Sequence, residues 1–247
     1  MLTKRIIPIV QVRNYQIVKS RRFGDYRVFG NFEQTVAVYN GRRVDELVIV
    51  DIDASKTEAK PDTRILKFLS RDLDIPLTYG GGVTDLTDIE NCLANGCDRI
   101  ALNNITLSSL DMVAKAVAVF GSQCIVGSVD YSYVDGVPMV FSHVENEPIA
   151  KSLETHLEDL QNVGIGELLL TSVDHDGMMN GYDSRLKDFV GSVTSPILIN
   201  GGCGTPEHIA EVAPDYAGCC MSSLFQYSQY GYRDIKDFLR DKGIPVR

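Results

Sequence analysis

The sequence has only four histidines, no long apolar run and no basic stripe, and each shortage excludes a class of protein. No apolar stretch approaches the roughly 20 residues that a membrane-spanning helix needs. The apolar run after Lys4 and Arg5 is interrupted at Pro8 and is too short for the core of a signal peptide. The net charge of −9 comes from scattered acidic residues, so we expect neither a nucleic acid nor a membrane as a partner.

The six cysteines show none of the spacings of a disulfide framework. We expect them to remain reduced and to pack as small apolar side chains, which fits a cytoplasmic protein. The histidines are dispersed, and no cysteine–histidine spacing typical of a zinc site occurs. We therefore expect no metal and no other cofactor. The four histidines are His143, His156, His175 and His208.

Two segments of the first half of the chain recur in the second half with nearly the same offset. They are ELVIVDID at residues 46–53 with ELLLTSVD at 167–174, and PLTYGGG at 76–82 with PILINGG at 196–202. The chain is therefore predicted to consist of two similar halves, near residues 1–122 and 123–247. In the same register Gln11 matches Asp130, so one half offers an amide where the other offers a carboxylate.

Short apolar runs rich in β-branched residues alternate with longer amphipathic segments. Continuous rather than alternating apolarity is typical of strands buried on both faces. Eight such units in 247 residues predict an α/β fold, a single (β/α)8 TIM barrel over residues 1–247. A doubly wound sheet is the alternative, but it predicts neither eight units nor a half repeat. The predicted strands are residues 5–12, 46–51, 77–79, 99–102, 124–129, 167–172, 197–199 and 217–221.

Two segments are predicted to extend the barrel. Residues 14–32, rich in glycine, arginine and aromatic residues, are predicted to form an extended loop after the first strand. Loops of that length usually belong to the active-site face of a barrel. Residues 131–141 contain an Asp135-Gly136 pair flanked by valines, which predicts a hairpin after the fifth strand.

Two glycine-rich loops, residues 80–82 (GGG) and 201–204 (GGCG), each follow a predicted strand and precede a predicted helix. Such loops free backbone N–H groups and a helix N-terminus to hold an anion, most often phosphate. Their equivalent positions in the two halves predict two anion sites across one barrel mouth, and hence a substrate with a phosphate at each end. The alternative interpretation is that tight turns need glycine for backbone reasons alone.

Charged residues stand at both ends of the predicted strands. Asp130, at the end of an apolar strand, is the best candidate for a general acid or base, because desolvation there raises the pKa of a carboxyl group. Its alternative role is to cap a helix or bond a loop. At the opposite rim, Arg5, Glu46, Arg99 and Glu167 stand at strand starts and are predicted to meet as a ring, for which stability is the alternative purpose.

The chain resembles the cyclase subunit of imidazole glycerol phosphate synthase, HisF, along essentially its whole length. The resemblance implies a glutaminase of the HisH type docked on the barrel floor as a heterodimer, ammonia crossing the barrel, and a bisphosphorylated ribonucleotide reacting at the top. The matching strings are KRII at residues 4–7, DEL at 45–47, DI at 51–52, AS at 54–55, GGG at 80–82, FGSQ at 120–123, GELLLTS at 166–172, DHDG at 174–177 and GYD at 181–183.

The same resemblance assigns roles to individual residues. The ammonia gate maps onto Arg5, Glu46, Arg99 and Glu167, with an arginine where the family usually has a lysine. Asp98 matches a glutaminase contact, and Lys19 matches the lysine of the mobile first loop. The remaining substrate- and phosphate-binding positions are Gly82, Asn103, Asn104, Thr171, Asp176, Gly177, Gly202 and Ser223.

Some positions depart from the family pattern. The catalytic pair of the family is two aspartates, whereas here it is Gln11 and Asp130. Asn104 replaces a phosphate-binding threonine, and residues 30–32 read GNF where GDP is usual. An amide cannot exchange a proton near neutral pH, so ring closure by a paired acid and base is expected to suffer.

Other features, such as Pro8, Asp53, Tyr79 and residues 126–130, are similar to a HisF-like branch linked to surface-polysaccharide and glycan gene clusters. That branch implies delivery of ammonia to an N-acetyl sugar amidotransferase that makes acetamidino sugars. This ammonia-delivery role is the leading hypothesis. The alternatives are an authentic synthase subunit that converts the ribulosyl intermediate and ammonia to imidazole glycerol phosphate and an aminoimidazole carboxamide ribotide, and an aminoaldose–aminoketose phosphate isomerase.

Overall fold

Eight parallel strands close into a barrel in the computed structural model, which describes residues 3–247 apart from the side chains of Ser70 and Asp72. The predicted TIM barrel is confirmed, and each predicted strand begins within one residue of an observed one. In chain order the strands are β1 (Arg5–Arg13), β2 (Gln16–Arg21), β3 (Gly24–Asn31), β4 (Leu47–Asp51), β5 (Leu77–Gly80), β6 (Arg99–Leu102), β7 (Ile125–Val134), β8 (Val137–Ser142), β9 (Glu147–Ser152), β10 (Glu167–Ser172), β11 (Ile197–Asn200) and β12 (Gly218–Met221).

The barrel runs in the order β1, β4, β5, β6, β7, β10, β11 and β12, and β12 pairs with β1 to close it. Helices lie between the strands in sequence and cover the outside. Side-chain caps start several of them, as where Asp85 and Asp88 form a capping box at α3. The helices are α1 (Phe32–Gly41), α2 (Thr63–Asp72), α3 (Leu86–Ala94), α4 (Asn104–Ser108), α5 (Leu110–Phe120), α6 (Leu153–Asn162), α7 (Pro206–Val212), α8 (Ser223–Tyr227) and α9 (Tyr232–Asp241).

The structure differs from the sequence prediction in the segment after the first strand. The predicted extended loop at residues 14–32 is wrong, because β2 pairs antiparallel with both β1 and β3, and β2 and β3 form a hairpin over the barrel mouth. After β10, the described residues form a short 3-10 helix, Leu186–Asp188. The predicted hairpin after the fifth strand is confirmed as β7–β8, and β9 adds a third strand to it.

The strand registers place the inward-facing side chains in layers, each contributed by alternate strands. The layer at the floor holds the charged residues, the next two are mostly apolar, and the layers toward the mouth become polar. From the floor upward the layers are Glu46, Arg99, Glu167 and Gly218; Ile7, Thr78, Val126 and Leu198; Val48, Ala101, Leu169 and Cys220; Ile9, Gly80, Ser128 and Asn200; and Val50, Asn103, Thr171 and Ser222.

Outside the strands, a second and larger apolar core packs between the barrel and its helices. Within residues 3–247, no helix is long and apolar enough to cross a membrane. The strand carboxyl ends all meet at one rim of the barrel, which we call the mouth, and the strand starts meet at the floor.

Gly218→Ala tests the packing of the floor layer. A Cβ at Gly218 would lie 2.9 Å from Leu198 Cδ2 and 3.1 Å from the Arg5 carbonyl oxygen. We expect the variant to lose about 1–3 kcal/mol in its free energy of unfolding, because overpacking forces neighbours to shift. Urea unfolding measures the loss, with Gly41→Ala as the control, since a Cβ at Gly41 meets nothing within 4 Å. Unchanged stability of Gly218→Ala would contradict the layer assignment.

Candidate active site at the barrel mouth

Asp130 lies on β7, next to the last residue that pairs with β10, and is 8% exposed. Its carboxylate accepts a hydrogen bond from Asn103 Nδ2 at 2.9 Å. Burial and, to a smaller extent, the nearby Asp176 raise the pKa of Asp130, the hydrogen bonds from Asn103 and Thr171 oppose the rise, and the resulting pKa is about 7. The group can therefore gain or lose a proton near neutral pH, as a general acid or base must.

Gln11 occupies the corresponding place on β1, across the mouth from Asp130. Its Oε1 lies 3.3 Å from the hydroxyl of Ser20, which also lies 2.7 Å from Asp176 Oδ2. The shorter distance shows that Ser20 donates its proton chiefly to the carboxylate. The Ser20 hydroxyl thus lies between Gln11 and the Asp176 carboxylate.

Lys19 precedes Ser20 on β2 and is buried, with 6% of its surface exposed. Burial lowers the pKa of Lys19 to about 8, although the Asp176 carboxylate favours the charged form. Burial also raises the pKa of Asp176, which Lys19 and Ser20 counteract. Lys19 and Asp176, predicted as ligand-binding residues, therefore lie close enough for their charges to interact.

The β2–β3 hairpin covers part of the mouth. Phe23 at its turn packs edge-on against Phe141 and His143, with ring centroids 5.8 and 5.6 Å apart. The backbone N–H of Arg22 donates to the Asp176 carbonyl at 3.0 Å. The hairpin from the first half of the chain is thereby fastened to β8 and to the loop after β10 in the second half.

Two cavities open at the mouth, one beside each glycine loop. The first has about 870 Å³ of empty space, part of it open to solvent, and the second about 320 Å³. The first contains Asp130, Asn103, Asn104 and residues 80–82; the second contains Asp176, Gly177, Ser223 and residues 201–203. Both cavities are lined by Ile9, Gln11 and Asn200. A ligand that fills both cavities would therefore lie against Gln11.

The glycines of both loops have backbone conformations that other residues avoid. Gly82 and Gly202 have φ values of 71° and 98°, and a Cβ on either would clash with a backbone carbonyl of a neighbouring loop. Gly177, with φ of 71°, packs equally tightly against the carbonyl of Ser20 in the hairpin. Backbone geometry thus accounts for these glycines, and it leaves anion binding at the same loops as a prediction.

The short helices α4 and α8 begin beside the two loops, at Asn104 and Ser223. The residues just before them, Asn103 and Ser222, make no side-chain cap. The Ser222 hydroxyl is buried and has no hydrogen-bond partner among the described residues. The second cavity therefore presents an unused hydroxyl, which a bound ligand could satisfy.

The four predicted floor residues meet, as expected from their positions. Glu46 and Glu167 each contact both Arg5 and Arg99, with 3.2 Å between Arg5 Nη1 and Glu46 Oε2. Thr78 Oγ1 donates to Glu46 Oε1 at 2.8 Å. Burial lowers the pKa of Arg5, but the hydrogen bond and charge of Glu167 and the charge of Glu46 outweigh it and leave the pKa raised. We call these four residues the floor ring.

Asp98 also lies at the floor and is exposed. Its carboxylate accepts a hydrogen bond from the backbone N–H of Leu77 at 2.8 Å, so part of its role is to fix the start of β5. Its predicted contact with a glutaminase stays a prediction. Among residues 3–247, no group of three histidine, cysteine or acidic side chains is arranged to hold a metal ion.

Sequence reasoning missed Ser20 and Asn200 as members of the site. Ser20 joins Gln11 to Asp176, and Asn200 Nδ2 donates to Thr171 Oγ1 at 3.2 Å. Asn200 could have been predicted, because it directly follows the predicted strand 197–199 and is equivalent to Gly80 in the repeat. Ser20 gave no such signal, because it lies in the segment that was predicted to be a loop.

A closed barrel whose polar residues gather at the strand carboxyl ends defines a TIM-barrel protein of the enzyme type. A family model described as "Histidine biosynthesis protein" matches residues 5–229. The chain belongs to this family, and the predicted likeness to HisF is confirmed by its relatives.

Three of these relatives span this chain from end to end. A Campylobacter jejuni protein, provisionally named imidazole glycerol phosphate synthase subunit hisF2, is 39% identical over 252 residues, which are 100% of this chain and 99% of the relative. Imidazole glycerol phosphate synthase subunit HisF of Dehalococcoides mccartyi is 33% identical over 250 residues (100% and 99%). The subunit of that name from Nitrosopumilus maritimus is 35% identical over 266 residues (100% of each).

Asp130→Asn tests the raised pKa of the buried carboxyl. The folded state holds this proton to about pH 7, whereas the unfolded chain releases it near pH 3.9, so ionisation opposes folding across that window. We expect the stability of the variant relative to the unchanged protein to rise by up to about 4 kcal/mol between about pH 4 and pH 8. Urea unfolding at several pH values measures it, and a difference independent of pH would show that Asp130 ionises normally.

Proposed function

We propose that this chain is a HisF-like subunit that receives ammonia from a HisH-like glutaminase at the floor and delivers it through the barrel for amidation of an N-acetyl sugar. One observation carries this proposal: the floor ring is complete while the mouth offers Gln11 where a paired acid–base mechanism needs a second titratable group. The complete floor ring supports ammonia passage, and the amide of Gln11 counts against cyclisation by a paired acid and base.

The interior supports passage of a small neutral molecule. Between the floor ring and the mouth, the side chains are apolar or small, as at Ala101, Cys220 and Gly80. The first cavity reaches down to Ala101 and Leu169, two layers above the ring. An apolar lining favours ammonia over ammonium, because a charged group loses more on leaving water than a neutral one.

The contacts of the floor ring support the part of the proposal in which the entry of ammonia is controlled. Glu46 is 1% exposed, and both of its oxygens are occupied, by Thr78 and by the two guanidinium groups. A small molecule can pass only if one of these contacts separates. Docking of a glutaminase on the exposed floor around Asp98 is the event that would open the ring in this proposal.

The second candidate function is the authentic synthase reaction, which forms imidazole glycerol phosphate at the mouth. A specific observation favours it: Asp176 lies next to Gln11 through Ser20, and its pKa is raised by burial. Asp176, which lines the second cavity together with Gln11, would then replace the missing aspartate as the partner of Asp130. The two glycine-loop cavities would hold the phosphates of the substrate.

Turnover with ammonium salts and no glutaminase separates the two functions. We expect the unchanged chain to show at most marginal conversion of the bisphosphorylated ribonucleotide of the HisF reaction. Gln11→Asp is expected to raise the rate by about 10²–10⁴-fold, the usual contribution of a general acid or base. Product formation is followed by chromatography.

Gln11→Asn is the matched control, because asparagine has the size of aspartate without its charge. We expect it to remain as slow as the unchanged chain. Efficient turnover by the unchanged chain would instead establish the synthase function, and its loss in Asp176→Asn would identify Asp176 as the partner of Asp130.

Glu46→Gln tests the floor ring as a gate. In a reconstituted system of glutaminase, barrel and N-acetyl sugar amidotransferase, we expect glutamine hydrolysis to continue while the nitrogen transferred per glutamine falls several-fold. The neutral amide leaves Arg5 and Arg99 without a full counter-charge, so the ring loosens.

Asp159→Asn is the control for loss of an ion pair away from the ring, since Asp159 pairs with Lys151 on the outer face at 2.7 Å. Transfer by this variant should equal that of the unchanged chain. If Glu46→Gln transfers nitrogen as efficiently as the control and loses only stability, the ring serves the fold and is not a gate.

A further inference from the structure

The seam between β1 and β4 is not closed by backbone pairing near the floor. The two strands pair from Ile9 with Val48 to Val12 with Asp51. Below that point, the N–H of Ile6 donates to the Asp45 carboxylate at 3.0 Å, and the carbonyl of Ile6 accepts from the Tyr232 hydroxyl at 3.1 Å. Side-chain hydrogen bonds therefore take the place of backbone hydrogen bonds between the two strands at this end of the seam.

Helix α9 supplies two of the side chains that bridge the strands here, Tyr232 and Lys236. The Tyr232 hydroxyl accepts from the Asp45 N–H at 2.7 Å, so one hydroxyl joins the two sides of the seam. Lys236 pairs with the Asp45 carboxylate at 2.7 Å and is itself largely buried. Tyr232 is 4% exposed and Asp45 is 8% exposed, so these contacts are shielded from water. We call Asp45, Tyr232 and Lys236 the seam network.

The seam network is adjacent in sequence to two members of the floor ring. Ile6 follows Arg5, and Asp45 precedes Glu46. A change in the spacing between Ile6 and Asp45 therefore moves the backbones that carry Arg5 and Glu46. These two side chains make the 3.2 Å contact of the ring.

We propose that Tyr232 and Lys236 are positioning residues that act through Asp45 to hold Arg5 and Glu46 together and so keep the floor ring closed until a glutaminase docks. This inference rests on the proposed function of the ring as an ammonia gate. In this inference, helix α9 on the outside of the barrel holds closed the contact between Arg5 and Glu46 inside the barrel.

Tyr232→Phe removes the bridging hydroxyl and keeps the ring that packs against Phe225. In the reconstituted glutaminase, barrel and amidotransferase system, we expect free ammonia released per glutamine to rise several-fold. Lys236→Met should act in the same direction, and Lys236→Arg, which keeps the charge, should retain most of the coupling. In the isolated barrel, hydrogen exchange at the start of β1 should become faster in Tyr232→Phe.

Tyr182→Phe is the matched control, because it also removes a buried hydroxyl that donates to a strand carbonyl, that of Cys220 at 2.9 Å. It should lose stability without loss of coupling. The positioning role is wrong, and the gate assignment is retained, if Tyr232→Phe releases no more free ammonia per glutamine than Tyr182→Phe while Glu46→Gln still transfers less nitrogen per glutamine. If the unchanged complex itself transfers no nitrogen, the gate and the positioning role both fail.

Discussion

The contact of four charged side chains with one another at the floor is the constraint on which the rest of the barrel depends. Glu46 is almost completely buried, and its charge is tolerable only because Arg5, Arg99 and Thr78 surround it. Well-packed apolar residues often stabilise such a layer as well or better. The ring is thus a costly way to fill a barrel floor, and this cost is consistent with the proposed role of the ring as a gate.

The two halves of the chain contribute different groups to the mouth at equivalent positions, an amide from Gln11 and a carboxyl group from Asp130. Asp130 carries a carboxyl group with a pKa of about 7 on one side, while Gln11 on the other side carries an amide that contacts Ser20 of the hairpin. Lys19 and Ser20 come from that hairpin, and Asp176 comes from the loop that it covers. The hairpin is therefore a part of the site and more than a cover for it.

The barrel could be predicted from sequence because strands buried on both faces leave continuous apolar runs. The hairpin could not, since most side chains of β3 are exposed and its pattern is that of a polar loop. The ring could be predicted because its members stand at the starts of strands that meet in a barrel. The Ser20–Asp176 and Tyr232–Asp45 contacts join residues 156 and 187 positions apart, and no local pattern reveals them.

The proposed function rests on ammonia travelling inside the barrel from the floor ring to the mouth. Supplying glutamine with an isotopically labelled amide nitrogen, together with an excess of unlabelled ammonium in the buffer, tests this passage directly in the reconstituted complex. We expect the product nitrogen to remain labelled as the ammonium concentration rises. Dilution of the label in proportion to the buffer ammonium would show that the nitrogen passes through solution and that the barrel is not its path.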